Sequence, residues 1–412
     1  MIENKFRNAS KEPLTISKGD FGVVVEKFKK KQTKSYDFLI KSNKKYQEAI
    51  FKFCKRMIEE EEFPKLFDHT VLQMIWKQKA SAEVLKNNRF IHMKEHYLPR
   101  TVESLVVNKM KDDILAKSTI YQIGGKPGHS IDDHLFSMKS LIELMEARGQ
   151  GMIFTFIDII AFFDREDIYD VIETLLELGV NSTAARLWLK LNQNTQIRIK
   201  TSAGMTESAV VGDVIGQGTA WAALVSQLNL DHGLHTYFGG SKDEMYYGGV
   251  RCEYFAYQDD IGKPSEGVNE AQVENIKLSQ MFKDKGLEAH PDKTCFVVFG
   301  SSTYKDTINR QLEANPLYFG DFPVKRKDSE KYLGQIIHSG GLRASCAATI
   351  SDREGKIKGA IFETQSIIEE FRMQAIGGMM AAYELCERAM VPSLQSSLKG
   401  ANKEAEIKKN NS

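Results

Sequence analysis

Between Ile153 and Phe299 the sequence alternates short β-rich apolar runs with stretches of helical periodicity, and that order restricts the folds open to the chain more than any other feature. Ile153-Phe154-Thr155-Phe156-Ile157 is short, apolar and rich in branched and aromatic residues, as a buried strand should be. Ile168, Val171, Ile172, Leu175 and Leu176 then recur at helical spacing until Gly179 stops them. Gln196–Lys200 and Ser208–Val211 flank Gly204 and read as a hairpin. A helix is expected from about Ala220 to Leu230, and a second hairpin is centred near Asp259. Another helix carries Val273, Ile276, Met281 and Phe282, and Cys295–Phe299 forms a last apolar strand. The order β-α-β-β-α-β with added hairpins predicts an α+β, ferredoxin-like core.

The flanks read differently. Residues up to about Lys86 are expected to be helical with lysine-rich exposed faces, and Pro64 and Leu66–Trp76 mark the approach to a more compact region. Pro99, Gly124-Gly125 and Pro127-Gly128 punctuate Phe90–Leu135 into loops and short elements. Beyond Arg353 a helix places Ile357, Ile361, Ile368 and Phe371 on a buried face, and after about Lys399 the composition reads as a frayed end. With 412 residues, 42% of them hydrophobic, the chain can bury a large core in two or three subdomains.

No run approaches eighteen apolar residues and the first residues lack an apolar signal core, so no membrane partner is expected and the protein should be soluble and intracellular, in nucleus or cytoplasm. Cys54, Cys252, Cys295, Cys346 and Cys386 contain no CxxC pair, which argues against a disulfide framework or a zinc knuckle. Formal net charge is only +1, yet residues 1–58 hold 15 Lys and Arg against 6 Asp and Glu. That excess suits an arm tracking a nucleic-acid backbone, and equally a set of solvated helix faces.

Chemistry concentrates on three aspartates. Asp158 ends the first central run, and alternation along a strand points Phe154, Phe156 and Asp158 the same way. A carboxylate in that position is costly unless paired, hydrogen-bonded or bound to metal. Asp259-Asp260 sits inside Phe255-Ala256-Tyr257-Gln258-Asp259-Asp260-Ile261, where a divalent cation best relieves the repulsion of adjacent carboxylates. Taken alone, such a pair is more often merely a polar hairpin turn.

The companion motifs give the pair its meaning. Asp158-Ile159-Ile160-Ala161-Phe162-Phe163-Asp164 resembles the first catalytic motif of reverse transcriptases, including those of group II introns. Gly216-Gln217-Gly218 resembles their next motif, and Tyr257-Gln258-Asp259-Asp260 their catalytic hairpin. Gly286-Leu287 with His290-Pro291-Asp292-Lys293-Thr294 resembles the loop that follows, and Tyr332-Leu333-Gly334 the primer-grip hairpin. Gln122-Ile123-Gly124-Gly125-Lys126-Pro127-Gly128-His129-Ser130 is similar to the fingers segment before the palm in non-LTR (LINE-like) retrotransposons. The succession covers roughly Phe90 to Gly340, and it is the order of the motifs that makes the resemblance specific.

The resemblance implies a right-hand polymerase with fingers, a ferredoxin-like palm and a partial helical thumb. The expected division is an N-terminal helical basic extension over 1–89, fingers over 90–150, palm over 151–341, and partial thumb with frayed tail over 342–412. It implies RNA template, DNA or RNA primer and dNTPs as partners, and two Mg²⁺ (or Mn²⁺) ions ~3.5–4 Å apart as cofactors. Asp158, Asp259 and Asp260 become the catalytic and metal-site residues, with Asp260 contributing more through its charge than as a direct ligand. Phe163 would lie beneath the sugar and exclude a ribose 2′-hydroxyl, unless it is a core ring; RNA-dependent RNA polymerases usually carry an aspartate at that spacing. Gln217 would meet nucleotide and template, with Gly216 and Gly218 permitting close backbone approach. Relatives often have Pro and Ser where this chain has Ala220 and Ala222 around Trp221, which puts template positioning in doubt.

Lys293 is a candidate general acid or phosphate contact, or else a surface lysine. Lys94, Arg100 and Lys126 are candidates for triphosphate or template backbone, and His96, Tyr97 and His129 for stacking on bases. Asp164 is expected to support the helix that follows it. The residues after Gly341 suffice for the start of a thumb but not also for a ribonuclease H domain, and no endonuclease module is visible, so the chain reads as a fragment or truncated frame of a retroelement. An RNA-dependent RNA polymerase and a non-catalytic nucleic-acid-binding relic are the competing readings.

Overall fold

A computed structural model of the chain describes residues 2–374, apart from 10–12, 32–38, 40, 78–80, 82–83, 85–86, 202–203, 213–214, 220–221, 239–245 and 248–249. At its centre lies a five-stranded sheet in the order Lys325–Arg326, Cys295–Gly300, Gly151–Ile157, Asp260–Ser265, Phe255–Tyr257. All pairings but the first are antiparallel. Leaving aside the added edge, this is the strand order of a ferredoxin-like unit, with helices Ala222–Phe238 and Val268–Asp284 as its two crossovers.

Alternation along Gly151–Ile157 explains why the sheet is covered on both faces. Every residue of that strand is buried. Ile153 and Ile157 share one core with Leu230, Leu234, Leu278, Met281 and Phe282 of the two crossover helices. Met152, Phe154 and Phe156 face the opposite core, with Leu135, Met138 and Leu141 of helix Ile131–Ala147 and with Tyr332. Burying a ring such as Phe154 contributes about 2–3 kcal/mol, so the strand that carries Asp158 is held from both sides.

A second sheet joins distant parts of the chain. His69–Trp76 pairs antiparallel with Asn88–Lys94 and parallel with Thr195–Thr201, and Thr195–Thr201 is the first arm of the expected hairpin, its return made by Gly204–Met205 and Ala209–Val211, which both pair with it. The strand at 69–76 departs from the helical reading of residues up to Lys86. Its partner Thr195–Thr201 lies more than a hundred residues further on, and that non-local pairing outweighs local propensity. Among the described residues the helices Ile2–Asn8, Lys18–Lys31 and Lys44–Glu60 precede it, the last capped by Asn43 and burying Ile50, Phe51, Cys54, Met57 and Ile58 on one stripe.

The chain divides into two compact units, residues 1–345 and 346–412. The described part of the second is helical, within Gly341–Gln374, where Ile350 and Ile357 are exposed, so Ile357 does not take the buried place expected of it. The side chains of Ile361, Ile368 and Phe371 and the whole tail lie outside the described residues.

Candidate active site

Asp158 follows the last residue of the central strand. The register pairs Ile157 with Ile261, so one step further on Asp158 stands opposite Asp260. Tyr257 pairs with Asp260, which leaves Gln258-Asp259 as the two-residue connection of the hairpin. Three carboxylates thus meet at one end of one sheet. The loop after Asp158 is fastened to the segment Glu288–His290: Ile159 bridges Ala289, Ile160 N–H donates to Glu288 O at 2.9 Å, and His290 N–H donates to Asp158 O at 2.8 Å. That fastening brings Lys293 into place, where its Nζ donates to Asp158 Oδ2 at 2.7 Å.

The electrostatics record the crowding. The surrounding protein, then the charges of Asp259 and Asp158, push the Asp260 carboxyl up to about 6, although the residue as a whole is exposed. Asp259 is raised as well, first by burial and then by Asp158, with Arg89 and Lys293 pulling the other way. Groups that resist ionisation through mutual repulsion are the donor chemistry that suits a hard divalent cation. Among the described residues no three His, Cys, Asp or Glu side chains already form a ligand cage. The aspartates therefore fit such a cation by chemistry and by shared position, with Lys293 paired to one of them.

Beside them lies a cleft of about 130 Å³ lined by Phe156, Asp158, Asp260, Lys293, Lys331 and Tyr332. Tyr332 is buried, its ring 5.4 Å from that of Phe156 and its hydroxyl donating to Phe255 O at 3.3 Å. Leu333 and Gly334 both have positive φ, 47° and 81°, and make the two-residue turn of hairpin Ser329–Tyr332 and Gln335–His338. The expected primer-grip residues thus lean on the back of the carboxylate hairpin.

Gly216-Gln217-Gly218 lies against the strand Asn88–Lys94. His92 N–H donates to Gln217 O at 2.7 Å, and Arg100 Nη2 to Gly218 O at 3.4 Å. A Cβ on Gly216 would come within 2.6 Å of the His92 ring, and one on Gly218 within 2.6 Å of Ile91 Cγ2. The close approach these glycines permit is therefore to the chain's own strand. Ala220 and Trp221 lie outside the described residues. Phe163 is half-buried beside the buried Phe162, their rings 5.3 Å apart, and packs against two adjoining cores.

Several expected contacts are placed elsewhere. Lys94 is buried, and its ammonium donates to Leu191 O at 2.8 Å and Phe67 O at 3.3 Å; its pKa is lowered by burial. Lys126 donates to the Thr119 carbonyl. His96 caps helix Tyr97–Lys117, and Tyr97 is buried with its hydroxyl 2.9 Å from that of Tyr46. His129 is exposed. Asp164 sits inside the single turn Phe162–Arg165, and the start of the following helix, Ile168–Glu177, is capped by Asp167 rather than by Asp164. Two residues to which the sequence assigned no role of their own belong to the neighbourhood: Arg89, whose charge acts on Asp259, and Gln122, read only within the Gln122–Ser130 segment, whose side chain reaches the backbone of Gln258. The sequence does not name the partner of either, since each acquires it through a long-range contact.

The chain resembles several solved telomerases at low identity. One from Candida albicans, in complex with a TWJ fragment of telomeric RNA, is 12% identical with a TM-score of 0.41, over 67% of this chain and 45% of that one. Apo telomerase from Candida tropicalis gives 10% and 0.42, over 68% and 47%, and a form truncated from its C-terminal domain gives 9% and 0.41, over 68% and 55%. The chain thus spans about half the length of these relatives. No curated protein matches it. The family model for reverse transcriptase (RNA-dependent DNA polymerase) matches residues 77–337, the stretch that holds the central sheet and all three aspartates. The chain belongs to the reverse transcriptase family, whose members are RNA-directed DNA polymerases that use divalent metal ions.

Proposed function

We propose that this chain extends a primer 3′-hydroxyl with dNTPs, directed chiefly by an RNA template, and that it derives from a non-LTR retroelement. The observation that carries the polymerase reading is the meeting of Asp158, Asp259 and Asp260 at one sheet end with Lys293 held on Asp158. The retroelement origin rests on the resemblance of Gln122–Ser130 to the fingers segment of LINE-like elements. In this reading residues 1–89 are a basic extension, helical before the strand His69–Trp76 that joins it to the second sheet, 90–150 are fingers, 151–341 palm and 342–412 a partial thumb and tail, and the protein works in the nucleus or cytoplasm.

Mg²⁺ or Mn²⁺, two ions per site, would be held by Asp158 and Asp259 with the charge of Asp260 behind them, and would supply the positive charge that favours an ionised primer hydroxyl and a leaving pyrophosphate. The chain's own part is positioning and charge. Lys293 holds the Asp158 carboxylate and stands where it can pass a proton to, or bind, the departing phosphate. The half-buried Phe163 lies beneath the sugar and excludes a 2′-hydroxyl. Gln217 and Arg100 meet nucleotide and template, and Tyr332-Leu333-Gly334 supports the primer end. Lys94 serves the fold, because its ammonium is already bound to two interior carbonyls.

The test is primer extension on oligo-dT-primed poly(rA) with Mg²⁺ or Mn²⁺, comparing the chain with Asp259→Ala. Extension with dTTP that the substitution abolishes supports the reading, and preference for UTP would make the protein an RNA polymerase instead. A folded, RNA-binding chain that does not extend would be a catalytically inactive relic.

A further inference from the structure

The turn that carries Asp259 is strained. Gln258, immediately before it, has φ 58°, a left-handed conformation that a non-glycine residue adopts at a cost of about 1–3 kcal/mol unless its surroundings impose it. A two-residue hairpin connection would ordinarily place Gly, Asn or Asp at such a position. What imposes it here comes from the opposite side of the chain's sequence. Gln122 is completely buried, and its carboxamide clasps the Gln258 peptide backbone at both ends: Nε2 donates to Gln258 O at 3.1 Å, and Gln258 N–H donates to Oε1 at 2.9 Å. The same Oε1 accepts from Gly124 N–H at 3.1 Å. Only one orientation of the amide satisfies these three bonds, so donor and acceptor ends are fixed by the network. The neighbouring backbone repeats the pattern, with Ala256 N–H donating to Tyr121 O at 2.9 Å and Ile123 N–H to Ala256 O at 3.2 Å. Gly124 permits this approach, since a Cβ there would stand 2.6 Å from Gln258 N.

We propose that Gln122 is a positioning residue for catalysis, fixing the backbone of Gln258 so that the Asp259 carboxylate is presented toward Asp158. The proposal rests on the polymerase reading and deepens it. Losing the clasp would free a strained turn to relax, and a displacement of the order of 1 Å in a reacting group can cost about 100-fold in rate.

The experiment is single-turnover extension on oligo-dT-primed poly(rA) with saturating dTTP, with active sites counted by titration. The rate constant then does not depend on how much protein is folded. Gln122→Met keeps size and removes both hydrogen bonds to Gln258. Gly124→Ala leaves the amide in place but drives a methyl group against the turn, and supplies an independent variant should the first fold poorly. Both are expected to lower the rate constant per active site about 10- to 100-fold, to raise the Mg²⁺ concentration at half-maximal rate, and to leave primer–template affinity within about twofold. An unchanged rate constant per site with fewer active sites would make Gln122 a folding residue and overturn the proposal. Wild-type protein that extends nothing, or whose extension survives Asp259→Ala, overturns the polymerase reading itself and the positioning role with it. Wild-type activity lost in Asp259→Ala but unaltered in both variants overturns only the role of Gln122.

Discussion

Glu166→Gln should change how the stability of this protein depends on pH. Glu166 is 1% exposed, between the helices Phe162–Arg165 and Ile168–Glu177. Asn229 Nδ2 donates to its Oε1 at 3.1 Å and to Asp170 Oδ2 at 2.9 Å. Lys285 Nζ donates to Asp170 Oδ2 at 2.9 Å and to Asn229 Oδ1 at 2.8 Å. Burial pushes the Glu166 carboxyl up from 4.5 to about 7, further than its hydrogen bonds and Lys285 pull it back. A carboxyl raised in the folded state binds its proton more tightly there than when unfolded. Its penalty is therefore absent below pH 4.5, grows as pH rises, and is complete above about pH 7.

A displacement of that size corresponds to roughly 3 kcal/mol, of which about 2 kcal/mol develops between pH 5 and pH 8. Glutamine has the same shape and no charge to bury. Urea unfolding of both proteins across pH 5–8, read as the difference at each pH, cancels the titrations the two share. The stability of Glu166→Gln relative to wild type should rise by about 2 kcal/mol across the series. A difference independent of pH would refute the reasoning. It would mean that Glu166 is ionised in the folded protein and that Lys285 offsets its burial.

Three further outcomes are expected. Lys293→Met should lower the extension rate about 10²- to 10⁴-fold if the lysine transfers a proton, while the melting temperature barely moves, because an ion pair this exposed is worth about 0–1 kcal/mol; activity within threefold of wild type would make it a surface lysine. Phe163→Val should raise ribonucleotide incorporation relative to deoxynucleotide by about tenfold or more, consistent with the removal of a clash worth at least 1.4 kcal/mol; unchanged selectivity in a folded variant would leave the ring a packing residue. Lys94→Met should destabilise the fold by about 2–4 kcal/mol, since two interior carbonyls lose their donor, with the KM for dTTP unaltered. A raised KM with normal stability would return Lys94 to the nucleotide.

What the sequence made legible is what local pattern encodes. Ile153-Phe154-Thr155-Phe156-Ile157 announced itself as a buried strand, which the structure extends to Gly151–Ile157, and the aspartates stood out because charge at the ends of apolar strands needs a reason. The crossover helices and their order followed from the change of period. The strand His69–Trp76 was hidden because its identity depends on partners at 88–94 and 195–201. Lys94 was hidden for a related reason: a lysine reads as surface until Phe67 and Leu191 are seen to offer their carbonyls. Gln122 acts on a residue 136 positions away, and nothing in its neighbours' composition reports that.

The distribution of strain joins these pieces. Among the described residues, five other than glycine have positive φ: Glu61, Ala161, Asn194, Gln258 and Leu333. Three of the five belong to the candidate site. Ala161 follows Asp158, Gln258 precedes Asp259, and Leu333 follows Tyr332. Gln258 and Leu333 each lie where a strand ends and the chain turns back at once, and Ala161 lies where the loop after Asp158 enters the helix Phe162–Arg165; each is a change of direction that the ordinary allowed regions do not provide. Each also lies next to an independent fastening: Ile160 to Glu288, Gln258 to Gln122, Tyr332 to Phe255. The doubly covered sheet supplies the stability, and these fastenings convert part of it into fixed loop geometry at the carboxylates. Substitutions that cut a fastening should therefore reduce catalysis more than they reduce stability, whereas substitutions beneath the sheet, such as Phe154→Ala, should do the reverse.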